Sequence, residues 1–443
     1  MELRDLIVTP ILLIVIAALA YIIRPRVTDS VTRVYFFPAL AVKIFGALCL
    51  GLIYQFYYNG GDTYNYHTHG SRHVWEAFMD SPLKGMRLLI NDGSNYNDVY
   101  RYASKILFFS DPQSYAIVKI AAVFDLLTFS SYSSTAILFA VVSFVGLWMF
   151  FLTFYEQYPS LHRWLAIASF FIPSVFFWGS GLLKDTVTLG CLGVATYQVY
   201  RIFAKKNFGI RHVLLLAISL YGMYSIKIYI ILTFLPAVIV WVFLLNLDAI
   251  RSPVLKIMLA PFMISSAIVL GYFAMVKAGE DNAKYSLQNV AMTAKITAYD
   301  IGFYTGRDAG SGYSLGELDG TFGSMIRLSP QAINVSLFRP YLWEVKNPLL
   351  LLSALESFLL LLLCVYIIVK KNVRLLAAIN NPNVLFALIF SIAFAFAVGV
   401  STFNFGTLVR YKIPLLPFFA VALILILYHS KSDRKLAELD STE

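Results

Sequence analysis

Charge is scarce in this chain. Only 14% of its 443 residues are Asp, Glu, Lys or Arg, while 59% are hydrophobic, and the mean hydropathy is +0.71. A soluble domain of this size has too little interior to hide so much apolar surface, which leaves a polytopic membrane protein. Cysteine is nearly missing as well. Cys49, Cys191 and Cys364 all fall inside apolar runs, so neither a disulfide framework nor a thiolate metal site is supported. No internal repeat is visible, direct or inverted, which weighs against a secondary transporter. The first apolar run, Leu6 to Ile23, has no positively charged leader and no small-residue cleavage site. We expect a retained helix there and not a signal peptide.

What the chain does have is a succession of apolar runs. Spans are expected at 6–23, 35–57, 132–154, 161–178, 186–203, 213–227, 228–246, 255–276, 348–369, 383–400 and 412–428. The stretch 213–246 reads equally as one bent pair of half-helices. Arg24, Arg26 and Arg33 fill one short loop, Arg201, Lys205, Lys206 and Arg211 another, Lys370, Lys371 and Arg374 a third, and Lys431, Arg434 and Lys435 the tail at 429–443. With about eleven spans all four fall on one side, the cytoplasmic side by the positive-inside rule. That rule and anionic lipid head groups account for the net charge of +10 without nucleic acid. The expected fold is one all-α integral-membrane domain over 1–443. Its long outer segments are 58–131 and 277–347.

Segment 58–131 contains Val74, Trp75, Phe78 and Met79 at helical spacing and an apolar run from Ala116 to Phe129 interrupted by Lys119 and Asp125. Such helices are expected to lie in the membrane interface. Segment 277–347 carries Gly306, Gly310, Gly312, Gly316, Gly320 and Gly323 among polar residues, the composition of a loop or lid.

Four places could carry chemistry at the outer face. In Tyr58-Asn59-Gly60-Gly61-Asp62-Thr63-Tyr64-Asn65-Tyr66-His67-Thr68-His69-Gly70, Asp62 follows a glycine-permitted turn at the end of the second span. It is a general base, a metal ligand or a helix cap; with His67 and His69 it could hold a divalent ion. Lys184-Asp185 follows Gly179-Ser180-Gly181 at a helix junction, a setting for a phosphate or for a capped hairpin. Lys227 interrupts an apolar stretch. Arg410 and Lys412 open the last span ahead of Pro414 and Pro417, and Arg339 leads into the ninth. Glu356, inside that ninth span, needs a partner such as a lysine. One carboxylate and four basic groups on one face suit an anionic substrate such as a lipid phosphate.

The Gly61-Asp62 loop, the interfacial segment 70–129 after it and the Arg410-Tyr411-Lys412-Ile413-Pro414-Leu415-Leu416-Pro417 ending together resemble the GT-C superfamily of integral-membrane glycosyltransferases. The resemblance implies a polyprenyl-phosphate-linked sugar donor, a glycan, lipid or protein acceptor, and a site facing outward from a bacterial cytoplasmic membrane. It makes Asp62 the base of an inverting transfer. Lys184, Lys227, Arg410 and Lys412 would hold the donor phosphate, with Tyr64, Tyr66, His67, His69 and Arg339 contacting substrate. Two rival classes are an O-antigen-type polymerase or ligase, which would rest on Arg410 and Arg339, and a flippase or transporter for lipid-linked sugars. The latter would need Lys43, Glu356 and Lys227 to line a path, although Lys43 can snorkel.

Overall fold

The computed structural model describes residues 2–247, 265, 276, 289–301, 303, 311–370, 378 and 380–440. Among them every regular element is a helix, and extended pairing is limited to an isolated bridge between Gly312 and Asn404. The chain forms two compact units. The first takes Met1–Phe171, Val175–Gln198 and Ile210–Lys227; the second takes Ile172–Ser174, Val199–Gly209 and Ile228–Glu443.

The first unit begins with α1 (Leu3–Val27) and α2 (Arg33–Phe56). Four short helices follow: α3 (Asp62–Tyr66), α4 (Arg72–Asp80), α5 (Pro82–Ile90) and α6 (Tyr100–Ala103). Then come α7 (Pro112–Thr128) and α8 (Tyr132–Tyr155). Side-chain bonds fix which ends lie together. At one end Asp5 of α1 accepts from Ser131 Oγ (2.8 Å) and the Ser133 amide (3.2 Å), and Thr63, just past α2, bonds the Tyr132 hydroxyl (2.7 Å). At the other end Trp148 donates to the Val27 carbonyl (3.2 Å) and Tyr155 to Asp29 (2.7 Å). Arg24 and Arg26 stand in the last turn of α1 at that second end. The three long helices therefore alternate in direction, as the loop charges require. Phe36 seals α2 against α8 through edge contacts with Phe144 and Trp148 at 5.2 and 5.0 Å.

Segment 58–131 is largely helical, as its periodicity demands, but its parts differ. Leu83, Met86 and Ile90 of α5 form an exposed apolar stripe at i, i+3 and i+7 spacing, suited to the membrane interface. By contrast α7 is built into the unit, with Tyr115, Ile117, Val118, Ala121 and Ala122 buried.

Six helices are long and apolar enough to cross a membrane among the described residues, or seven if a bent pair counts as one span. The expectation of about eleven is not reached, for local reasons. Segment 161–178 breaks into α9 (His162–Ala166), a wide turn at Ile167–Phe171 and α10 (Pro173–Trp178). Segment 186–203 becomes α11 (Lys184–Val199), carrying Asp185, Thr186, Thr188 and Gln198. Segment 213–227 becomes α12 (Ile210–Ile226), which has 17 residues. Segment 255–276 lies outside the described residues except at 265 and 276.

Lys43 does not snorkel. It lies about 15 Å along α2, near mid-membrane, and its buried ammonium donates to Ser143 Oγ and to the Val175 and Gly179 carbonyls at 3.0, 3.1 and 2.7 Å. It thereby satisfies the Gly179 carbonyl just past α10 and shares the Val175 carbonyl with the Gly179 amide (3.2 Å).

The second unit holds α13 (Ile228–Asn246), α14 (Val290–Ile301), α15 (Phe322–Arg327), α16 (Ser329–Phe338), α17 (Pro348–Val369), α18 (Pro382–Ser401), α19 (Phe405–Tyr411) and α20 (Leu415–Asp440). Two Asn-Pro pairs start helices in the same way. Asn347 and Asn381 accept from the Leu350 and Asn383 amides (both 2.9 Å), while Pro348 and Pro382 need no partner at the first position. Trp241 stacks on Phe386 at 4.2 Å and donates to Asn383 (2.9 Å), so the end of α13 meets the start of α18. The bent pair is α19 with Leu415–His429, turned by 66° at Lys412–Pro414.

Helices α8 and α11 approach to backbone contact: a Cβ on Gly146 would stand 2.1 Å from the Gly190 carbonyl oxygen, and one on Gly193 2.1 Å from that of Gly146. Small residues permit such contact between spans. Gly146→Ala is expected to lower stability by about 1–3 kcal/mol, measured by thermal unfolding in detergent.

Candidate functional site

The turn after α2 is made by backbone that most residues resist. Asn59, Gly60 and Gly61 take φ values of 54°, 127° and 119°, and the Gly60 amide donates back to the Tyr54 carbonyl (2.8 Å). Two glycines and an asparagine tolerate that path. It reverses the chain and begins α3 at Asp62, whose side chain is half-buried.

Asn59 and Gly60 form part of the wall of a cavity of about 460 Å³ contained in the first unit. Its other walls come from Glu2 and Asp5 of the α1 terminus, Gln55, Tyr64, Thr68, His69, Arg72 and Tyr132. Tyr64 stacks on Tyr132 with ring centroids 4.3 Å apart and donates toward Gly51 O and Gln55 Oε1, each at 3.2 Å. Burial, with the Asp5 carboxylate adding to it, raises the Tyr64 phenol above its ordinary value, so the hydroxyl keeps its proton. Arg72 pairs with Glu2 (2.6 Å), which Arg4 also holds at 2.9 Å. The buried Asp5 carboxylate accepts from Ser131, Ser133 and the Glu2 amide. Two tyrosine rings, a carboxamide, carboxylates and a guanidinium thus surround one small volume. Such a mixture hydrogen-bonds hydroxyls while offering a flat apolar face.

The histidines of the motif separate. His69 reaches the cavity, whereas His67 is fully buried behind it, its ring 5.5 Å from that of Tyr132 and its Nε2 3.5 Å from Asp125 Oδ1. Asp125, also fully buried, accepts from Ser71 Oγ (2.7 Å) and Thr135 Oγ1 (2.6 Å). Tyr66 likewise turns inward, 3% exposed and packed on Phe108. The wide helical turn His67–Ser71 causes the split, because it changes the angular step between successive side chains. No group of three or more His, Cys, Asp or Glu side chains is arranged to hold a metal ion among the described residues.

The basic residues are engaged by protein groups. Lys227 pairs with the fully buried Asp185 at 2.5 Å, and Lys184 stands 3.7 Å from Asp111. Burial pushes the Asp111 carboxyl up, but Ser114, Lys184 and the Gln113 amide together hold it below its ordinary value. In the second unit Lys412 is fully buried and donates to the Arg339 carbonyl (3.0 Å) and Ser357 Oγ (2.8 Å). It also acts electrostatically on Glu356, whose Oε1 accepts from the Ser174 amide at 2.5 Å and whose Oε2 has no hydrogen-bond partner among the described residues. Arg339 is paired with Glu344 and lies over the Tyr313, Tyr341 and Phe405 rings at 5.5, 5.7 and 5.2 Å. Arg410 is in the last turn of α19.

Of the residues singled out in the sequence, Tyr64 and His69 line the cavity, Asp62 follows its wall without lining it, and Glu2, Asp5, Gln55, Arg72 and Tyr132 were missed. A signal existed for Asp5, an acid placed at the very start of an apolar run; for Gln55 and Tyr132 no local pattern marks them.

Asp125→Leu removes the acceptor of the buried Ser71 hydroxyl and one partner of Thr135, and is expected to lower stability by about 1–3 kcal/mol in chemical unfolding. A pH effect follows from Glu344: burial raises its carboxyl, yet Arg339 and the Tyr341 amide hold it below the ordinary value. Its stabilisation is therefore present above the unfolded carboxylate pKa, about 4.3, and is lost as pH falls through the lower folded value. Glu344→Gln should lower the melting temperature at pH 6 and narrow its gap to wild type in acid.

Comparison of the chain with protein-family models, with curated proteins and with solved structures finds no match.

Proposed function

We propose that the protein is a membrane glycosyltransferase that moves a sugar from a polyprenyl-phosphate-linked donor to an acceptor hydroxyl, with Asp62 as general base. The acceptor is a glycan, lipid or protein, and the reaction takes place at the outer face of a bacterial cytoplasmic membrane. One observation carries this reading beyond the motif resemblance. The turn that delivers Asp62 is itself part of the wall of a cavity lined by paired tyrosines, a carboxamide and charged groups, at the end of the unit where α1 begins and α2 finishes. That lining suits a sugar, which presents hydroxyls at its edge and C–H groups on its faces.

The chemistry is then direct. An acceptor hydroxyl gives its proton to the Asp62 carboxylate as its oxygen attacks the anomeric carbon. The bond from that carbon to the phosphate oxygen breaks, its electron pair leaves on the phosphate, and the anomeric configuration inverts. The departing charge needs cations. Lys184, whose partner Asp111 is at 3.7 Å, is more readily lent to a phosphate than Lys227, locked to Asp185 at 2.5 Å. Lys412 is committed to Ser357 and the Arg339 carbonyl. The polymerase reading leans on Arg339, whose charge Glu344 already neutralises.

Asp62→Asn should lower transfer by about 10²–10⁴-fold while membrane insertion and donor binding persist. The measurement is mass spectrometry of surface glycans and lipid-linked intermediates in the native host. Loss of one defined sugar supports the transferase; shortened chains of intact repeat units favour the polymerase; an unchanged profile with good expression removes Asp62 from the mechanism. Lys184→Gln should raise the donor KM with little loss of folded protein. Lys227→Met, which leaves Asp185 buried without its ammonium, should instead reduce folded yield, read by size-exclusion chromatography.

A further inference from the structure

In the second unit, α17 is long and apolar enough to cross a membrane. Its 22 residues make about 33 Å of helix against a hydrocarbon core of about 30 Å. Each end therefore falls where acyl chains give way to head groups, and each carries an aromatic ring with a lysine. At one end Tyr366 and Lys370 are exposed, and the lysine donates to the phenol. At the other, Trp343 and Lys346 are exposed just ahead of the Asn347 cap. At 80% exposure, Trp343 is the most open large hydrophobic side chain among the described residues.

That exposure is built and not a matter of looseness. Tyr341 stacks on Trp343 with ring centroids 4.9 Å and planes 25° apart. The Tyr341 amide donates to Glu344 (2.8 Å), Asn334 donates to the Tyr341 hydroxyl (3.1 Å), and Arg339 pairs with Glu344. The turn thus holds the indole outward. A ring held this way can stack on a sugar or seat in the head-group layer. A sugar needs hydrogen-bonding side chains around the ring, but Arg339, Glu344 and Asn334 are already bonded within the turn. The exposed apolar neighbours are Leu342 and, in the first two turns of α17, Leu351, Leu352 and Leu355. An indole with an apolar body and one N–H matches the layer at the end of such a span.

We propose that Trp343, backed by Tyr341, is seated in the lipid head-group layer and fixes the depth of α17 in the bilayer. The turn from Arg339 to Glu344 is thereby held at head-group level. This interaction surface is independent of the transferase reading.

The test uses the full-length protein in phosphatidylcholine nanodiscs. Because the chain has 6 tryptophans, the emission of Trp343 is read as the difference between wild type and Trp343→Phe. Lipid brominated near the top of its acyl chains is expected to quench that difference about two-fold, lipid brominated near the chain ends less, and aqueous iodide least. In a Leu352→Cys background, Trp343→Glu should speed labelling by a charged maleimide about five-fold, while Trp343→Tyr leaves it unchanged. Quenching by iodide but not by brominated lipid overturns the proposal, as does labelling that Trp343→Glu does not alter. If methyl glucoside changes the Trp343 emission and brominated lipid does not, the ring is a sugar platform and the proposal also fails.

Discussion

Within a bilayer a polar group has no water to fall back on, and that constraint organises this protein. Lys43 shows it most plainly. A lysine near mid-membrane is accommodated because its amine donates to a serine hydroxyl and to two backbone carbonyls where α10 ends. Each side of that arrangement needs the other. Without the lysine the Gly179 carbonyl would lose this donor, and without the break the amine would lose two of its acceptors. Asp185 with Lys227, and Lys412 with its acceptors, repeat the principle at other positions.

The same economy shapes the cavity of the first unit. Its carboxylates are individually supported, Asp5 by hydroxyl and amide donors and Glu2 by arginines, so the lining is polar without being strongly charged. Behind the wall, the His67–Asp125 pair and its hydroxyl partners hold the wide turn from which His69 and Arg72 project. The cavity lining is thus backed by a second polar layer within a core otherwise made of aliphatic and aromatic side chains.

Much of this was legible in the sequence because it depends on local pattern. Long apolar runs became α1, α2, α8, α13, α17 and α18, and loop charges gave the alternation that the end-to-end hydrogen bonds bear out in the first unit. The Gly60-Gly61 turn and the start of a new element at Asp62 were legible for the same reason. Three things were not. Segments 161–178 and 186–203 have nearly the hydropathy of spans, and the wide turns at Ile167–Phe171 and Tyr200–Ala204 that interrupt them leave no mark in composition. The two-residue spacing of His67 and His69 puts both on one face only in an extended segment, whereas the stretch is helical with a wide turn at His67–Ser71. The partners of Lys227 and Lys412 come from distant segments, and a single sequence has no means of pairing them.

The bonds from Asp5 to Ser131 and Ser133 carry a practical meaning for anyone handling this protein. They fold the first residues of α1 inward, so that Glu2 is a wall of the cavity and not a loose end. Any affinity tag or fluorescent fusion joined ahead of Glu2 therefore emerges at the rim of that cavity, where it competes with whatever enters.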